Sequence, residues 1–173
     1  MSGVAASGRL QSIVGLRLSI VRRAADMLGL HFGTVRASVS PLGRTGTTAD
    51  FTFHVQAPWR FDRAGRIVTG RSELWTFAGS GAEPDGWSYE TGNSLQDVRL
   101  TELFGPRIER LGWCPGHQGP LVIAVAVGET GDVAITFDAG LAFRIFVDQA
   151  DGEAWRFFAP GNDDHLVFPE EAP

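Results

Sequence analysis

The chain has 173 residues, 43% of them apolar, with twelve Phe and five Trp, enough to bury a core without staples. Its single cysteine, Cys114, excludes an internal disulfide and fits a reducing compartment. All fifteen basic residues are Arg, which reads as GC-rich coding bias, because a net charge of −5 argues against a nucleic-acid partner.

Near the N-terminus Arg9, Arg17, Arg22 and Arg23 interrupt every apolar stretch. The sequence therefore predicts neither a secretion signal nor a membrane span, and a cytoplasmic setting. Residues 12–20 alternate at Leu16, Leu18 and Ile20 and predict a half-buried strand. Leu28, Leu30 and Phe32 share one face of a second strand, joined to the first through Arg22–Ala24 as a hairpin. Residues 34–39 predict a third strand, and "SPLGRTGTTAD" (40–50) a loop. In "FHVQAPWRF" (53–61) alternation runs into Pro58, where ladder pairing must end or bulge. "DRAGR" (62–66) is a turn, and residues 79–92 form a long Gly, Pro and acid loop that Trp87 and Tyr89 can pin.

Ser94 followed by Asp97 reads as a capping box opening a helix over 94–104, which Gly105-Pro106 ends. Residues 107–113 predict a short turn and 114–120 a loop. The C-terminal third reads as an antiparallel meander: 120–129, "VAITF", a tight turn at Asp138–Gly140, "LAFRIFVD", "AWRFFAP" and "HLVFP". The expectation is a single α+β domain over 1–173. It is mainly antiparallel sheet, sandwich-like or roll-like, with one main helix near 94–104 and disordered ends at 1–9 and 169–173.

The strand "LGLHFG", followed by "FHVQAPWRF" and "IVTG", then Asp97 and Arg99, and the "FRIFVD…EAWRFF…HLVF" end form a set. Over nearly the whole chain this set resembles a family of small bacterial proteins with no assigned activity. The sharpest match is the "HVQxPWR" core, with Ala57 in the open position, and the second is the "WRFF" tail. The resemblance implies a shared fold. The "IFVD…EAWRFF" end is also similar to C-terminal segments of bacterial immunity-type proteins.

The triplet Trp-Arg-Phe occurs at 59–61 and again at 155–157. One reading is an aromatic and guanidinium site that clamps an anion. The other is two strand ends of one core, each Arg reaching an acid such as Asp50, Asp62 or Asp97. The candidate ligand-binding residues are His54, Gln56, Trp59, Arg60, Trp155 and Arg156. His54 can act as a base, but no Gly-x-Ser-x-Gly turn presents a nucleophile. Cys114-x-x-His117 lacks the further ligands zinc needs, so no metal and no cofactor are expected. Asp163-Asp164 and Glu170-Glu171 read as a solvated tail. Asp148, Asp151 and Glu153 lack calcium-loop spacing, and "GRTGTT" lacks the lysine of a P-loop.

Charge is unevenly placed: net +5 over 1–49, −4 over 50–147 and −6 over 148–173. Either the acidic C-terminal segment docks a basic protein, or the two ends neutralise each other. The function expected is that of a non-enzymatic cytoplasmic binding or protein-interaction domain, immunity-like, without nucleic acid or membrane. The alternative is a small-molecule-binding or enzymatic domain with a pocket near His54, Trp59 and Arg60.

Overall fold

Alternating residues pair into sheets that share one apolar interior. The computed structural model describes residues 8–39, 43 and 45–169. In chain order β1 (Leu18–Ala24) and β2 (Met27–Phe32) form one hairpin, and β3 (Arg36–Val39) and β4 (Thr45–Thr48) another. β5 (Phe51–Val55), β6 (Trp59–Arg63) and β7 (Arg66–Gly70) precede the helix α1 (Leu95–Phe104). The two-residue strands β8 (Arg107–Ile108) and β9 (Gly112–Trp113) follow. Then come β10 (Val122–Val127), β11 (Val133–Phe137), β12 (Leu141–Ile145), β13 (Trp155–Phe158) and β14 (Leu166–Phe168). The larger sheet has seven strands, β14-β13-β5-β2-β1-β9-β8, and the smaller has five, β10-β11-β12-β6-β7. All their pairings are antiparallel. This is the expected sheet-rich α+β domain with one main helix.

The chain passes from one sheet to the other at Pro58. The N–H groups of Gln56 and Ala57 both donate to Ala154 O at 2.9 Å, ending the run beside β13. Pro58 has no N–H to donate, but its carbonyl accepts from Phe146 at 2.9 Å, and pairing resumes with β12. Elsewhere the sheets are stitched directly: Leu18 N–H donates to Pro120 O (3.0 Å) and Val122 N–H to Leu16 O (2.8 Å).

Helix α1 lies against β7 and β9. Ser94 caps it by accepting from Asp97 N–H at 3.0 Å, and Gly105 ends it at φ 85°, which glycine adopts without a Cβ clash. Leu100 and Phe104 are buried, and Phe104 meets Phe61 edge-on at 5.4 Å. The polar side of α1 serves the free edge of β7, where Gln96 donates to Gly70 O (3.2 Å) and Arg99 to Val68 O (3.3 Å).

Several expectations need correction. The first strand starts at Leu18; residues 11–13 form a 3-10 turn. A bulge between Leu18 and Ile20 sets Leu18 opposite Phe32 but Ile20 opposite His31, so the two no longer share a face. The first hairpin turns at Ala25-Asp26, with Ala25 at φ 53°. β4 lies inside the expected loop 40–50, because its β-branched threonines pair locally with β3. Residues 107–113 form a minimal hairpin. The C-terminal meander divides, since β10–β12 join the smaller sheet and β13–β14 the larger. The ends read as disordered lie largely outside the described residues, but Arg9 is described and ion-paired with Asp164 at 3.1 Å. Among the described residues no helix is long and apolar enough to cross a membrane.

Candidate functional site

Strand alternation sends the two triplets' aromatics inward and their arginines outward. Trp155 is 0% exposed and Trp59 3%. Trp155 stacks on Phe168 and meets Phe53 edge-on, both at 5.4 Å, and its Nε1–H donates to Gly131 O at 2.8 Å. Trp59 meets Phe143 at 5.8 Å and Phe61 at 5.9 Å, and its Nε1–H is buried without an acceptor. Both indoles belong to one core cluster. Gln56 is exposed at the Pro58 corner. His54 and Arg156 are cross-strand neighbours on the outer face of the larger sheet, while Arg60 is on the outer face of the smaller. His54, Trp59 and Arg60 therefore do not line one pocket: the corner separates the first from the others, and alternation points Trp59 and Arg60 to opposite sides.

Around His54 the outer face carries a row of rings. His54 meets Phe158 edge-on at 5.1 Å, and Phe158 stacks on His165 at 4.5 Å. Arg156 forks onto Glu153, at 3.1 Å from Nε to each oxygen. His31 is buried, with Nδ1 3.1 Å from Thr52 Oγ1. Burial pulls the His31 pKa down to about 3, with Arg22 and then His54 adding to the effect. Burial also lowers His54; Glu153 opposes it, and Arg156 and His165 reinforce it. Both imidazoles are thus neutral at pH 7. No hydrogen bond joins them to Cys114, whose Sγ lies 3.9 Å from Leu111 O and Gly112 O. Burial pushes that thiol's pKa up against the pull of Arg22, which keeps it protonated and a poor nucleophile. Among the described residues no group of three or more His, Cys, Asp or Glu can hold a metal ion.

On the smaller sheet Asp62 sits between two guanidinium groups, 2.8 Å from Arg144 Nε and 3.6 Å from Arg60 Nε. Arg60 also lies over the Phe146 ring at 4.9 Å. Beside them is a shallow hollow of about 350 Å³ between Ala126, Ala134, Asp132, Arg144 and Phe146.

The sequence reading did not single out the surface at Trp75, in the 3-10 turn Arg71–Trp75. Trp75 is 48% exposed. Arg71 lies over its ring at 5.3 Å and is ion-paired with Asp26. Tyr89 meets Trp75 edge-on at 6.5 Å, and Arg23 lies over Tyr89 at 5.6 Å while ion-paired with Asp97 at 3.0 Å. Phe77 and Trp87, 5.6 Å apart, tie the two ends of the 77–87 loop together. Glu83, Asp85 and Glu90 are exposed and join no ion pair among the described residues. The sequence marked Trp87 and Tyr89 only as pins of the 79–92 loop, and Trp75 lies before that loop, where no pattern announces an exposed ring.

No protein-family model, no curated protein and no solved structure matches the chain.

Proposed function

We propose that the protein is a non-enzymatic interaction domain that docks a basic protein partner on the aromatic and acidic surface of residues 71–93. The observation that carries this reading is the half-exposed Trp75 beside Tyr89, with the nearby arginines already neutralised. Trp and Tyr supply much of the energy of protein interfaces. Because Arg71 and Arg23 are paired with Asp26 and Asp97, the charge left over is that of Glu83, Asp85 and Glu90, which favours a cationic partner. A guanidinium of that partner can lie over an aromatic ring here. The exposed tract Asp148–Asp151, next to Phe146, offers a second acidic surface to the same class of partner. The likeness of "IFVD…EAWRFF" to immunity-type proteins supports a protein-binding role, and the lone Cys114 suits a cytoplasmic one.

The test uses an arginine-rich octapeptide and a small basic protein, hen lysozyme, as probes, read by biolayer interferometry. Trp75→Ala should weaken binding by about tenfold or more, with the unfolding midpoint unchanged. Wild-type affinity in Trp75→Ala, or no saturable binding of any probe, would overturn the reading.

A further inference from the structure

Where the two sheets are stitched together, a cleft of about 460 Å³ opens, within the range of small-ligand sites. The approach to β1, the β2–β3 connection and the 3-10 turn Gly116–Gln118 bound it. Among the described residues Arg17 and His117 are its only ionisable lining groups, and no described acid lines it. One Arg17 nitrogen is anchored on Gly119 O at 2.7 Å, and the side chain joins no ion pair among the described residues. The nearest acid on the β2–β3 side, Asp50, accepts from Thr34 N–H at 2.7 Å and is paired with Arg36. The cleft is therefore cationic, in a chain whose net charge is −5.

Leu16 and Val35 give it apolar wall, and Val35 is among the exposed large hydrophobic residues. Three of the lining backbone amides are already engaged. Gly15 N–H donates to Val122 O (2.9 Å), Gly33 N–H to Arg17 O (2.9 Å), and Thr34 N–H to Asp50. Ser19 is used as well, donating to Gly33 O. The described side chains of the lining supply one guanidinium, one imidazole and an apolar wall. That set suits a monoanion with a hydrophobic body: the guanidinium takes a carboxylate in two parallel hydrogen bonds, and Leu16 and Val35 cover the rest.

We infer that this cleft binds a carboxylate carried on a small apolar group, either a free organic acid or the C-terminus of a peptide ending in an apolar residue. The site is separate from the Trp75 surface and does not depend on it.

The test is a titration of the ¹⁵N-labelled full chain followed by amide spectra. The probes are 3-phenylpropanoate, its neutral amide, and a pentapeptide ending in Val-Leu as free acid and as amide. A carboxylate probe should give saturable shifts confined to the amides of residues 15–19, 33–35 and 116–117, and the amide forms should give none. Tighter binding of the peptide acid assigns the ligand to peptide ends; tighter binding of 3-phenylpropanoate assigns it to free acids. Arg17→Gln should weaken either by about tenfold or more. Val35→Glu, at an exposed position outside any strand, should abolish binding by placing a like charge in the wall. Equal shifts from the amide probes, no saturable shift from either carboxylate, or undiminished binding in both variants would overturn the assignment.

Discussion

Trp59 and Trp155 begin the same triplet and enter the same core, yet their indole nitrogens meet different surroundings. Trp155 Nε1–H has Gly131 O at 2.8 Å; Trp59 Nε1–H is buried with no acceptor. Trp→Phe separates the two cases. At 155 it removes a hydrogen bond and strands a carbonyl; at 59 it removes a donor that was already unsatisfied. Trp155→Phe should therefore cost about 1–3 kcal/mol more than Trp59→Phe in urea unfolding, while Trp→Ala at either position costs about 3–5 kcal/mol. Equal losses for the two Phe variants would contradict the assigned contacts. At this scale the sequence was legible only in part, since it offered the core reading of the two triplets beside the clamp reading and left both Trp among the candidates for a site. It could not say which acid each Arg meets. Arg60 finds Asp62 two residues along its own strand, and Arg156 finds Glu153, which was not among the acids considered.

At the scale of elements, α1 was legible because its end signals are local: a Ser cap and a Gly-Pro stop. The role of Asp97 was not, because its partner is not local. Its N–H takes the Ser94 cap as expected, but its carboxylate pairs with Arg23 on β1. Both side chains are nearly buried, Arg23 5% exposed and Asp97 9%. Arg23 also donates to Tyr89 O at 3.0 Å, so this one guanidinium ties β1, α1 and the aromatic loop together. Removing the carboxylate leaves that charge buried and uncompensated. Asp97→Ala should therefore cost about 3–5 kcal/mol, and adding Arg23→Met should recover part of the loss. A double variant as unstable as the sum of the two single ones would show that the pair is not coupled. The short strands β4, β8 and β9 escaped the sequence reading for the same reason, since two to four residues carry too little periodicity to announce a strand that only its neighbour defines.

For the whole molecule, the question is where the charge of the two ends goes. The segment sums were readable from the sequence, but pairing depends on what the fold brings together. Of the described N-terminal arginines, Arg9 alone reaches the C-terminal segment, through Asp164 at 3.1 Å. Arg23 pairs with Asp97 and Arg36 with Asp50, while Arg17 and Arg22 donate to backbone carbonyls. Acids from the middle of the chain, more than the C-terminal ones, neutralise the basic end. That leaves Asp148 and Asp151 exposed and outside any ion pair among the described residues. The double variant Asp148→Asn with Asp151→Asn should then leave the urea midpoint unchanged. Asp164→Asn should cost at most about 1 kcal/mol, as an exposed pair does. That loss should shrink in 1 M salt, where the screening length falls to about 3 Å. If Asp148 and Asp151 face a basic partner, their removal should slow association at low salt while dissociation changes little, because exposed charge steers encounter more than it holds the complex. A stability loss in the Asp148 and Asp151 variant that fades with salt, with an unchanged association rate, would assign these charges to an internal role and remove this tract from the docking surface.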